Sequence, residues 1–337
     1  MIELSELWFV LVAVLFIGFF FLEGFDFGVG MLTRLLAKSD TERRIMINTI
    51  GPFWDANEVW LLTAGGAIFA AFPHWYATMF SGYYIPFVLV LMALIGRGVA
   101  FEFRGKVKNR TWAKTWDWVI FLGSLLPPFL FGVLFATILR GMPIDANMQL
   151  SAKFSDYVNS YSVMGGVTVT LLCLLHGALF LTMKTTKDLR VRARRFAGKL
   201  IWIVLGALAV FTVLSYFETD LFAIRGHVTF PLAGLIVTAY VLGVYFISKQ
   251  RDGWAFVMTG AGIALTVGMI FTALFPRVMV SSIQSVYDLT VYNASSGGYS
   301  LKVMTIVAVT LLPFVIGYQI WSYYVFRKRV DEKDLTY

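Results

Sequence analysis

An all-α, polytopic membrane protein that crosses a bilayer about nine times is the fold class the sequence predicts, and three observations predict it. Of 337 residues, 58% are hydrophobic and only 14% charged, whereas roughly a quarter are charged in soluble domains. The apolar residues gather into runs of about twenty, the length a helix needs to cross a hydrocarbon core of about 30 Å. The basic residues lie in short clusters between those runs, which is how orientation is written into a membrane sequence. The formal charge of +8 is therefore a topology signal, and nucleic acid is not among the predicted partners.

The predicted spans are 7–33, 52–72, 79–100, 117–139, 161–183, 200–217, 228–248, 254–275 and 303–326, each bounded by charge or by Gly and Pro. The residues before the first span are acidic where a cleavable signal is basic, and the apolar run behind them exceeds a signal h-region, so it is expected to stay as helix one. Helix two is expected to open on Pro52, in the first turn where a missing N–H costs nothing. A start near Ile45 instead would carry Asp55 and Glu58 toward the midplane. Pro127 and Pro128 predict a kink in helix four, with Ser124 available to satisfy freed backbone groups. Gly24, Gly28 and Gly30 on helix one and Gly65 and Gly66 on helix two predict close helix contacts. The connection 276–302 is rich in Ser, Gly, Tyr and Asn, which suits an ordered cap, a partner contact or a plain loop.

Lys and Arg number 22 in the odd-numbered connections plus the C-terminal tail and 5 in the others, with Arg97 left inside a helix. That asymmetry places the N-terminus outside and the C-terminus in the cytoplasm. The basic cluster 184–195 sits at mid-chain and reads as a cytoplasmic loop near anionic lipid. Around it the chain divides as 4+4+1: a single membrane domain over 1–337, with one four-helix bundle in 1–140, a second in 161–275, and an additional peripheral helix at 303–326.

Candidate chemistry is confined to a few residues. The one cysteine, Cys173, rules out a disulfide framework or a thiolate metal site within this chain. Of three histidines, His74 and His227 fall at extracytoplasmic helix ends and His176 deep in helix five, so no two share a depth in the membrane. A membrane-embedded bis-His haem is thereby excluded and no metal site is predicted, while an interfacial His74 and His227 pair stays open. Carboxylates inside lipid are expensive and mark function more often than not. Glu23 and Asp26 are three apart and share one face of helix one; Asp55 and Glu58 do the same on helix two. By helical rise, Asp55 and Glu58 stand about 5 and 9 Å above Pro52, and Asp26 and Glu23 about 12 and 17 Å from Arg34. The four acids form a ladder through the inner half of the membrane, suited to proton entry. For Asp55 a second reading is a helix-start charge favoured by the dipole. Arg97 either snorkels to the interface or pairs with one of the buried acids, and Glu102 beyond it is interfacial.

The stretches 23–34 (EGFDFGVGMLTR) and 41–60 (TERRIMINTIGPFWDANEVW) and the triplet Trp116-Asp117-Trp118 resemble subunit II of cytochrome bd-type quinol oxidases, across the whole chain. The neighbourhood Trp54, Asp55, Asn57 and Trp60 is the most specific part. The resemblance implies a respiratory oxidase reducing O₂ to water with electrons from quinol, in a bacterial plasma membrane. It implies that haem b and haem d, with the quinol-oxidation loop, belong to a partner subunit I, and that this chain binds none directly. It also implies a water-filled route from the cytoplasm, for which the matching acids are Asp26 and Asp55. Glu23 and Glu58 are further candidates, although Glu58 stands where other members carry an amide. Trp54, Asn57 and Arg97 would support the route. A structural quinone in this subunit and a small single-helix partner are compatible with the resemblance, and neither is assigned to a residue. Two other classes compete. A proton-coupled secondary transporter also needs buried carboxylates, but in corresponding positions of two repeats, and helices five and six offer only His176. A purely structural assembly subunit would use its acids to hold helices together.

Overall fold

The structure, a computed structural model, describes residues 3–335. Among them eight helices are long and apolar enough to cross a membrane: α1 (Leu4–Leu35), α5 (Tyr84–Phe103), α6 (Arg110–Arg140), α8 (Ser160–Lys184), α9 (Lys187–Glu218), α10 (Leu221–Ser248), α11 (Asp252–Leu274) and α12 (Gly298–Val325). The predicted second span is α3 (Trp54–Ala71), which does not match that criterion. Its 18 residues extend about 27 Å, but Asp55, Asn57 and Glu58 make its first two turns polar. The remaining helices are short: α2 (Asp40–Ile50), α4 (Pro73–Gly82) and α7 (Phe154–Tyr157).

Helix two does not start at Pro52. Ser39 caps α2 by accepting from the Glu42 N–H at 3.2 Å, the helix ends at Ile50, and Phe53 is the N-cap of α3. Pro52 lies in the turn between them, because its missing N–H stops the α2 ladder from continuing. Ser124 also departs from expectation. Its hydroxyl has no hydrogen-bond partner and faces Gly30, where a Cβ would overlap it. It therefore marks the crossing of α1 with α6 and does not repair the helix at Pro127 and Pro128. The basic stretch at mid-chain is largely helical rather than a loop, since α9 begins at Lys187. Arg190 and Arg194 both bind Asp252, at 2.7 and 2.6 Å, and Arg192 binds Glu42 at 2.6 Å. Burial works against an ionised Glu42, but its hydrogen bonds from Arg192 and the Lys38 N–H outweigh that and hold the carboxyl below its ordinary range. The connection 276–302 is an ordered cap: β1 (Arg277–Met279) pairs antiparallel with β2 (Leu289–Thr290), and Arg277 forks onto Asp220 at 2.6 and 2.9 Å.

Lipid tails are as apolar as leucine, so packing and hydrogen bonds hold these helices together rather than exclusion from water. Helix α1 is the centre of that packing. Phe16, Phe19 and Phe20 meet Phe131 and Phe135 of α6 at centroid separations of 5.2–6.1 Å, mostly edge to face, an orientation that adds about 0.5–1.5 kcal/mol per pair. About two turns further on, Gly28 meets Gly177 of α8 so closely that a Cβ on either would overlap the other backbone. The expected contact at Gly65 and Gly66 does not form: a Cβ on Gly66 would meet nothing, and one on Gly65 only Phe80 at 3.9 Å.

Helix α12 is held differently. It buries a single residue, Leu301, and is fastened by polar contacts along its length. Trp8 of α1 donates to Thr305 at 3.0 Å, Trp60 of α3 donates to Gln319 at 3.0 Å, and the Lys184 ammonium donates to the Phe326 carbonyl. The Tyr323 ring stacks on Phe53 at 4.4 Å.

A buried ion cluster as candidate functional site

Glu23 and Asp26, three residues apart on α1, present their carboxyls toward α3 and α5, and both side chains are fully buried. Arg97 rises from α5 to meet them. Its Nη2 donates to Glu23 Oε1 and, at 3.1 Å, to Glu58 Oε2 of α3, and its guanidinium lies 4.6 Å from the Phe27 ring. Arg97 therefore pairs and does not snorkel; it has no exposed surface at all. A planar guanidinium is the side chain best suited to this, since it binds two carboxylates at once and still stacks on a ring.

Asn57 carries the cluster across to α12. Its Nδ2 donates to Asp26 Oδ2 at 2.7 Å, while its Oδ1 accepts from Tyr323 Oη at 2.8 Å and Gln319 Nε2 at 3.1 Å. Donor and acceptor ends are both satisfied, which fixes the amide in one orientation. Four atoms are left over: Glu23 Oε2, Asp26 Oδ1, Arg97 Nε and Arg97 Nη1 are buried without a hydrogen-bond partner. Buried polar atoms are nearly always paired, by protein or by water. The Glu23 and Asp26 carboxyls, three residues apart, lie on one face of α1. Glu58 is the member nearest open space, with 20% of its side chain exposed.

Three of the four predicted acids thus come together, with Arg97 and Asn57. Asp55 does not join them. It is exposed in the first turn of α3, on the same side as Glu58 one turn on. Trp54 packs α3 onto α5, its ring 5.4 Å from that of Phe101, where Gly98 leaves it room. Gln319 and Tyr323 were not anticipated, although an amide and a phenol four apart in an apolar run share a helix face. A second ion group lies at the basic end of the bundle, where Arg104 binds Asp117 at 2.7 Å and also Asp40, and Arg43 approaches Asp117 at 3.8 Å.

The histidines do not fit a haem within the helices. His176 has both ring nitrogens engaged, Nδ1 with Thr259 Oγ1 at 3.0 Å and Nε2 with the Phe21 carbonyl at 3.2 Å, so neither is free for iron. His74 and His227 are exposed on α4 and α10. Among the described residues no group of three His, Cys, Asp or Glu side chains converges as a metal site.

Long apolar helices around a buried, hydrogen-bonded ion cluster define a multi-pass membrane protein with ionisable chemistry in its interior. The chain belongs to the cytochrome bd terminal oxidase subunit II family, whose model matches residues 4–326. It is 68% identical to cytochrome bd ubiquinol oxidase subunit 2 of Bacillus subtilis over the full length of both. It is 36% identical to cytochrome bd-I ubiquinol oxidase subunit 2 of Escherichia coli, over 98% of this chain and 96% of that one. Its fold matches a chain from the structure of bd oxidase from Geobacillus thermodenitrificans, with a TM-score of 0.76 over 96% of this chain and 99% of that one, at 17% identity.

Proposed function

We propose that this chain is the second subunit of a bacterial plasma-membrane quinol:O₂ oxidoreductase of the cytochrome bd type, and that its buried cluster admits protons from the cytoplasm. The haems, which supply the redox chemistry of O₂ reduction, are assigned to the partner subunit I, as the engagement of both His176 nitrogens favours. A structural quinone and a small single-helix subunit are compatible additions. The chain is read as nine spans in one membrane domain, with bundles in 1–140 and 161–275, a peripheral helix at 303–326, the N-terminus outside and the C-terminus inside. Cysteine labelling tests that orientation. An engineered cysteine at Ser285, exposed in the cap, should label from outside intact cells, and one at exposed Lys333 only after permeabilisation; the reverse pattern would overturn it.

One observation carries the proton role: the bonded group Glu58, Arg97 and Glu23 beside the bonded pair Asp26 and Asn57, with two buried carboxylate oxygens left unpartnered. Full ionisation would set one guanidinium against three carboxyls in a water-excluded interior, at a steep desolvation cost. A proton held between Glu23 and Asp26 lowers that cost, and exchange with Glu58 at the open edge gives it a way in. Asp55, one turn before Glu58 on α3, would feed that edge. Transport is not favoured, because the acids gather on α1 and α3, while the one acid buried in the long helices of the second half, among the described residues, is Asp252 in the first turn of α11, bound by Arg190 and Arg194. Glu58→Gln keeps the hydrogen bond to Arg97 but removes an exchangeable proton. Oxygen consumption by the assembled complex should fall about tenfold or more with its haem spectrum unchanged; unchanged turnover would leave Glu58 a structural residue.

A further inference from the structure

A cavity of about 1120 Å³ opens at the basic end of the bundle, between the ends of α1, α2, α5 and α6. It exceeds the roughly 300–1,000 Å³ of ordinary ligand sites. Nine basic side chains and three acidic ones line it, and the acids do not neutralise it. Asp117 and Asp40 are taken up by Arg104 and Arg43, exposed Glu102 is one carboxylate against the remaining cations, and Arg34 stacks 3.9 Å above the Trp118 ring. Lys106, Lys108, Arg110 and Lys114 form no ion pair or side-chain hydrogen bond among the described residues and are all exposed. A solvated surface normally intersperses acids among its bases; here four unpaired cations crowd the rim of one concave site. Between them the outer surface is apolar: Phe103, Val107 and Trp118 are each about half exposed. Aromatic and aliphatic residues alternating with lysines are the composition of a membrane–water interface.

We propose that this cavity binds a phosphate-bearing anion, held by the unpaired cations of the α5–α6 connection. Its depth, where three spans end beside exposed aromatic residues, fits a phospholipid headgroup, and the same chemistry accepts a soluble polyphosphate. The site stands apart from the buried cluster and does not depend on the proton reading.

The test uses the whole complex, haem-loaded and with its partner subunit, and compares wild type with Lys106→Gln/Lys108→Gln/Lys114→Gln, three exposed residues whose replacement breaks no ion pair or side-chain hydrogen bond among the described residues. Complex from nanodiscs of phosphatidylcholine with or without phosphatidylglycerol is examined by native mass spectrometry for retained lipid. Inorganic pyrophosphate is titrated separately by calorimetry. Phosphatidylglycerol retained by wild type and bound about a hundredfold more weakly by the variant, at roughly fivefold per lysine, supports the site with lipid as the source. Pyrophosphate binding lost in the variant, without retained lipid, supports it with a soluble source. If the substitutions change neither, the proposal is overturned and the cavity becomes a solvated cleft or a socket for an acidic segment of the partner.

Discussion

Arg97→Met should prevent the oxidase from accumulating in the membrane. Among the described residues the Arg97 guanidinium is the one cation paired with Glu23, and both side chains are fully buried. Removing one partner of a buried ion pair costs about 3–5 kcal/mol, since the remaining charge has neither water nor counter-ion. Stabilities of about 5–15 kcal/mol leave little margin for such a loss. Haem absorbance per milligram of membrane protein, which reports assembled complex, should therefore fall severely. Glu23→Gln added to Arg97→Met removes the stranded charge and should restore much of the assembly while leaving turnover impaired. Full assembly of Arg97→Met alone would show that the cluster does not depend on this pair.

Asp26→Asn should give the opposite result: normal assembly and poor turnover. Asn at position 26 still offers an oxygen to Asn57 Nδ2, so the polar link from α1 to α3 survives. What disappears is the exchangeable proton. Proton transfer by a positioned group contributes about 10²–10⁴-fold, and oxygen consumption should fall by at least the lower figure while the haem spectrum stays intact. Asp55→Asn probes the exposed end of the same route. If the two acids act in series, the double variant will be little slower than the more impaired single, because groups working as a unit are non-additive. Normal oxygen consumption by assembled Asp26→Asn and Asp55→Asn complexes would sink the relay.

The long helices were legible because a bilayer dictates their length: about twenty apolar residues leave little freedom in where α5, α8 or α11 lies. The break at Gly51, Pro52 and Phe53 was half legible, because proline marks a boundary without saying whether a helix starts on it or after it. At the site, pairs three residues apart were visible on α1 and α3, since spacing alone puts side chains on one face. Asp55 shares a face of α3 with Glu58 yet stays exposed in the first turn and outside the cluster, and spacing alone does not say at what height along α3 the partner Arg97 stands. Gln319 and Tyr323 lay out of reach for another reason: they meet Asn57 across 262 and 266 residues of chain, a separation no local pattern encodes. Asp117 was placed at a helix start, but its role is set by Arg104 on the neighbouring helix.

The way α12 is fastened bears on the order in which the protein is made. Ribosomes deliver it after every helix it touches. Until it arrives, Asn57 Oδ1 lacks both donors from α12, Trp60 lacks Gln319 as an acceptor, and the Lys184 ammonium lacks the Phe326 carbonyl. A polypeptide cut short before Gly298 would keep its greasy packing and its acids while leaving these groups unsatisfied in lipid. Completion of the interior is thus coupled to the arrival of α12, and copies that lack it carry an exposed polar scar.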